Sequence, residues 1–121
     1  MDFELSNEQQ LLKDSADRLI ADRYDMQARN KILESEAGWS REIWSTLADL
    51  GFLGLPFKAE DGGFDGGPVE QMLILEAFGR GLLVEPYMAS VVLGGSAVAL
   101  AGSPDRRAEI LGGVASGELL L

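Results

Sequence analysis

The chain has 121 residues, 46% of them apolar, with 20 Asp and Glu against 10 Lys and Arg for a net charge of −10, and it has neither cysteine nor histidine. A length of that order describes one domain able to bury about two thirds of its unfolded surface. Disulfides, thiolate chemistry, Ser-His-Asp catalysis and the usual zinc ligands are excluded, and the acidic surface disfavours nucleic acid and anionic lipid as partners. No apolar run approaches the roughly 18 residues of a membrane span. The opening M-D-F-E-L-S-N-E is too acidic for a secretory signal, and a reducing cytoplasm fits the absence of cysteine.

In chain order, Ser6-Asn7-Glu8-Gln9 reads as a capping box opening a first helix. Leu12, Ala16, Leu19 and Ile20 supply its apolar spacing, and the pattern predicts a run to about Arg29 with Lys31 to Gly38 as a polar loop. Ser40 caps a second helix with Trp39 and Trp44 as a hydrophobic staple. Ile43, Trp44, Leu47 and Leu50 form its buried stripe, and Gly51 is its left-handed stop.

A short apolar connector, Phe52 to Phe57, leads into the loop Glu60-Asp61-Gly62-Gly63-Phe64-Asp65-Gly66-Gly67. Glycine-rich turns at helix starts expose amides to anions. Here Glu60, Asp61 and Asp65 oppose that use, no G-K-[ST] follows, and the carboxylate spacing is not that of a calcium loop, so a structural turn is the favoured reading.

Pro68 suits the first turn of a third, central helix. Glu76 interrupts its apolar run, and Arg80, one turn later, is either its ion-pair partner or a reach toward a neighbouring domain. Met72 and Met88 read as gap-fillers. Tyr87 to Ala101 predicts a fourth helix, and Ser103-Pro104-Asp105 opens a fifth that ends near Ala115 with Gly117 beyond it. The fold class expected is therefore all-α, a bundle of about five helices. Residues 118–121, Glu118-Leu119-Leu120-Leu121, read as the first residues of a following β-rich domain, leaving 1–117 as the helical domain. No catalytic, cofactor-binding or metal-binding residue is visible in these patterns.

Four segments in this order, L-A-D-L-G-F-L-G-L-P (47–56), E-D-G-G-F-D-G-G (60–67), I-L-E-A-F-G-R (74–80) and A-G-S-P-D-R-R-A-E-I-L (101–111), resemble the N-terminal helical domain of acyl-CoA dehydrogenases. A-D-R-Y-D (21–25), V-E-P-Y and V-V-L-G-G are similar to the small subunit of pimeloyl-CoA dehydrogenase. The resemblance implies an FAD-dependent oxidoreductase that converts acyl-CoA to trans-2-enoyl-CoA, with FAD between later domains, a catalytic glutamate outside this stretch, an oligomeric assembly and electron-transfer flavoprotein as acceptor. It implies no flavin and no catalysis for these 121 residues alone. It also implies that the join of the third and fourth predicted helices forms one wall of the acyl pocket. That join makes Val84, Pro86, Tyr87, Met88 and Val91 the substrate-binding candidates. The alternatives are a free-standing acidic helical interaction module and the non-catalytic part of a two-chain dehydrogenase.

Overall fold

The computed structural model describes residues 2–121. Among them the regular structure is entirely helical: α1 (Asn7–Arg23), α2 (Met26–Glu34), α3 (Arg41–Asp49), α4 (Pro68–Gly81), α5 (Ser96–Ala101) and α6 (Pro104–Ala115). A short 3₁₀ turn spans Ala59–Asp61, and a π-helical segment, Met88–Gly95, runs directly into α5.

The capping box of α1 forms as expected. The Gln9 N–H donates to Ser6 Oγ (3.1 Å) and the Ser6 N–H to Gln9 Oε1 (2.9 Å). The same Gln9 side chain donates through Nε2 to Glu70 Oε1 (3.2 Å), tying the start of α1 to the start of α4. These two helices pack along their lengths, and Gly81 permits the close approach, because a Cβ there would lie 2.9 Å from the Ile20 side chain.

The predicted run to Arg29 is broken. Asp25 caps a separate α2 by accepting from the Ala28 N–H (2.8 Å), and Tyr24 leaves the helix to bury its ring. An Asp cap offers the backbone a local alternative to continued helix. Helical structure also continues to Glu34, through part of the predicted polar loop.

Trp39 and Trp44 form the staple edge to face, with centroids 6.2 Å apart and planes at 77°. Ile43, Trp44 and Leu47 are buried, but Leu50, the residue at the end of α3, is exposed where the chain turns away through Gly51 at φ +81°. Met72 and Met88 are likewise exposed rather than filling the core.

Sequence-based helix prediction over 87–101 meets a π-helix in its first half. Pro86 accepts from the Ser90 N–H at the entry (2.9 Å), and Gly95 sits so close to the Phe57 ring that a Cβ would strike it. Ser103 occupies the cap position of α6 without its hydroxyl capping an amide, another departure from expectation. Residues 119–121 pair with no strand. The Leu119 N–H donates to the Gly113 carbonyl, and the Leu121 N–H to Ser90 Oγ (3.0 Å).

Candidate functional site

Two irregular segments could hold chemistry: the glycine-rich loop before α4 and the join after it. The loop is filled by its own backbone. Phe64, Asp65 and Gly66 donate to the carbonyls of Gly54, Phe57 and Leu55 at 3.1, 2.8 and 2.7 Å. Asp65, at φ 56°, accepts from the Ala59 N–H (3.0 Å), and buried Asp61 faces Arg107 of α6 at 3.4 Å. The loop's amides are spent on neighbouring carbonyls and its carboxylates on local partners. The structural-turn reading stands on this bonding. The expected pair Glu76–Arg80 is present at 3.2 Å, and Arg80 also meets Asp17 of α1 at 3.0 Å. Both members of the Glu76 pair are more than half exposed, so the pair contributes little.

The join after α4 is built differently. α4 ends on Leu82 in the left-handed region (φ 53°, ψ 48°), where the Leu83 N–H closes back to the Phe78 carbonyl (2.9 Å). Arg29 Nε donates to the Leu82 carbonyl at 2.7 Å and braces this turn from α2. The Tyr87 N–H then donates to the Glu85 carbonyl (2.8 Å), a tight reversal over Pro86. Between these two turns lies an open cleft of about 370 Å³. Leu75, Phe78, Leu82 and Leu83 give it apolar walls, completed by Tyr87, Met88 and the side of Glu85.

The five sequence candidates divide at this point. Tyr87 and Met88 line the cleft. Tyr87 is buried, its ring edge to face with Phe78 (5.0 Å, 81°), and its hydroxyl donates to the Phe52 carbonyl (3.0 Å). Burial raises the Tyr87 phenol well above its ordinary range, so it stays neutral. Met88 is half exposed. Val84 packs against the core and gives its N–H to the Tyr24 hydroxyl (2.9 Å). Pro86 shapes the reversal without lining the cleft, and Val91 is wholly enclosed in the core.

Sequence reasoning missed Glu85. It is only 5% exposed, and its Oε2 accepts the Ser40 N–H at 2.8 Å, across to the start of α3. Tyr24 is raised chiefly by burial, a trend the Val84 N–H opposes and the neighbouring Glu85 carboxylate strengthens. The available signal was a lone acid between Val84 and Pro86 in an apolar stretch.

The group the sequence resemblance implies is FAD, and this cleft does not suit it. A dinucleotide's pyrophosphate needs cationic or amide donors, whereas the cleft is apolar with one carboxylate and no Lys or Arg in its lining. No helix among the described residues is long and apolar enough to cross a membrane.

Comparison with known proteins gives the class. Residues 6–118 match the family model for the acyl-CoA dehydrogenase N-terminal domain. The chain belongs to that family. It is 32% identical over 105 residues to the acyl-CoA dehydrogenase FadE27 of Mycobacterium tuberculosis, covering 87% of this chain and 28% of that one. It is 37% identical over 81 residues to an L-prolyl-[peptidyl-carrier protein] dehydrogenase of Serratia, covering 67% of this chain and 20% of the relative. The solved ChsE4–ChsE5 complex from Mycobacterium tuberculosis contains a chain that superposes with a TM-score of 0.88 at 30% identity, covering 99% of this chain and 33% of that one. The chain thus spans about a third or less of the length of these relatives.

Proposed function

We propose that this domain supplies one wall of the acyl pocket of an FAD-dependent acyl-CoA dehydrogenase that oxidises acyl-CoA to trans-2-enoyl-CoA. The observation that carries the proposal is the apolar cleft at the α4 join, lined by Tyr87 and Met88, in a chain of this family. Phe78 and the hydrogen-bonded Tyr87 give it a stiff floor, and Met88 gives it an adaptable rim. Val84, Pro86 and Val91 act behind that surface, fixing the positions of Tyr24, the reversal and the core. Residues 1–117 form the helical domain in this reading, and 118–121 lead into a β-rich domain. FAD, which supplies the hydride acceptor when bound, is held by groups outside this chain, as is the proton-abstracting base. A cytoplasmic oligomer that passes electrons to electron-transfer flavoprotein, with the small subunit of pimeloyl-CoA dehydrogenase as a near likeness, completes the proposal.

The test is expression of the full-length protein beside residues 1–121. The full-length protein is expected to purify yellow and to be bleached by acyl-CoA under anaerobic conditions, and residues 1–121 to do neither. A colourless full-length protein that binds no acyl-CoA overturns the proposal, as does flavin-dependent activity from residues 1–121.

One observation favours a second reading, that the chain is part of a two-chain dehydrogenase: the superposing structure is described as a ChsE4–ChsE5 complex. Co-purification of a second dehydrogenase-like chain supports it, and a homo-oligomer active on its own rules it out.

A further inference from the structure

Gly79 lies inside α4, where glycine is a poorer helix former than alanine. Two structural reasons for a glycine are missing there. Its backbone is not left-handed, since the described glycines with positive φ are Gly38, Gly51, Gly62 and Gly117. Nor does this chain press against it, because a Cβ added at Gly79 would meet no atom within 4 Å beyond its own helix backbone. Gly81 is the contrast. Its added Cβ would stand 2.9 Å from the Ile20 side chain, so the packing of α1 explains Gly81 and leaves Gly79 unexplained.

What Gly79 does line is the cleft after α4. Leu75 stands one helical turn before it in the same wall, and Leu82 and Leu83 follow three and four positions later. Gly79 is therefore a notch in an apolar wall between leucines. The floor cannot move up to fill it. The Phe78 and Tyr87 rings are locked edge to face at 5.0 Å, and the Tyr87 hydroxyl is tied to the Phe52 carbonyl (3.0 Å). Leu75 also borders a second open cleft, over Pro68 and Met72, so the wall is not closed on that side.

A straight alkyl chain along this wall leaves the notch empty, and the atoms around it forgo dispersion contacts. A branch or ring that projects into it buries further apolar surface without a clash. We propose that Gly79 sets the shape preference of this cleft, favouring acyl groups with lateral bulk, a methyl branch or a saturated ring, over straight chains. The inference rests on the reading of the cleft as an acyl-pocket wall. It adds a specificity-determining residue and a substrate class to it.

The experiment uses the full-length protein as wild type, G79A and G79L. The probes are octanoyl-CoA, its monomethyl isomers branched beyond the β-carbon, and acyl-CoAs of similar length that end in a cyclohexyl ring. Dissociation constants from calorimetry and kcat/KM are measured for each, with thermal denaturation as the check of folding. At least one branched or cyclic probe is expected to bind the wild type about tenfold more tightly than octanoyl-CoA. G79A should shrink that advantage. G79L should abolish or reverse it, the bulky probes losing about tenfold more affinity than octanoyl-CoA. G79A should melt no lower than the wild type, because its Cβ meets no neighbour and alanine is the better helix former.

If the room over Gly79 serves a close helix contact from elsewhere in the full-length protein, G79A melts lower and both variants weaken every probe by the same factor, which overturns the proposal. Should G79L not fold, G79A decides alone: an unchanged preference is the negative result. Failure of every acyl-CoA to bind overturns both this inference and the acyl-pocket reading. Binding of octanoyl-CoA and the bulky probes without discrimination overturns this inference alone.

Discussion

The segments on either side of α4 are both irregular chain reversals, and they end in opposite states. The loop before α4 is closed. Gly63 and Gly66 let its backbone lie directly on the carbonyls of Phe57 and Leu55, and a smaller cleft of about 250 Å³ lies beside it against the start of α1. The join after α4 is open. It turns on a leucine in the left-handed region and reverses over a proline, and an apolar cleft of about 370 Å³ lies between the two turns. Glycine content, the usual flag for a binding loop, here serves close backbone packing.

Four substitutions break or sharpen this contrast. Gly63→Ala attacks the closed side most directly. Its Cβ would lie 2.5 Å from the Phe57 carbonyl carbon and 2.6 Å from the Phe57 Cβ, and the loop cannot separate without losing its bonds to residues 54–57. A loss of about 3 kcal/mol in urea unfolding is expected; a loss below about 1 kcal/mol would mean that the loop is not tightly closed.

Tyr87→Phe tests the open side. It removes the hydroxyl donated to the Phe52 carbonyl, leaving that buried acceptor only the long bond from the Leu55 N–H (3.5 Å). The expected cost is about 2 kcal/mol, with acyl-CoA affinity of the full-length protein falling less than severalfold, since the ring remains. Unchanged stability would show that the floor of the cleft is not held through this bond.

Glu70→Gln probes the start of α4, where the loop ends. The Glu70 carboxylate is held below its ordinary range by its own backbone amide, by the Gln9 side chain and by the Gly67 amide, with burial opposing. Because folded Glu70 releases its proton more readily than the unfolded chain does, its stabilisation is complete above the ordinary carboxylate range. It disappears as pH falls through the depressed folded value. E70Q should cost about 0.5 kcal/mol at neutral pH, and its stability should be less sensitive to acid than the wild type's over that low range. Parallel acid limbs for the two proteins would refute the assignment.

Leu82→Gly has an equally small expected effect, of opposite sign. It relieves a left-handed leucine that is half exposed, against the greater chain entropy of unfolded glycine. A gain of about 0.5 kcal/mol is expected. A loss greater than 1 kcal/mol would show that packing around Leu82, rather than strain, governs the turn.

Local chemistry was legible wherever a short segment carries its own instruction. The Ser6–Gln9 box, the Trp39–Trp44 staple, the Gly51 stop and the Glu76–Arg80 pair all rest on spacings of a few residues. The break at Tyr24–Asp25 was hidden because Asp25 fits a helix surface as well as a cap. The deciding bond, from Val84 N–H to the Tyr24 hydroxyl, joins residues 60 positions apart. Exposure of Leu50, Met72 and Met88 was equally hidden, since apolar character favours burial without specifying which face meets the core.

By itself the sequence determined the all-helical class, the family and the acidic, histidine-free surface that excludes whole classes of chemistry. These follow from periodicity, from composition and from the order of short segments. Tertiary structure alone decided that the glycine-rich loop is closed, that residues 88–95 widen into a π-helix and that Glu85 is buried beside an apolar cleft. Each of those outcomes depends on contacts between distant residues, Phe57 with Gly63 and Gly95, Ser40 with Glu85, Tyr24 with Val84. No local pattern encodes such pairings, because packing selects them only after the helices have met.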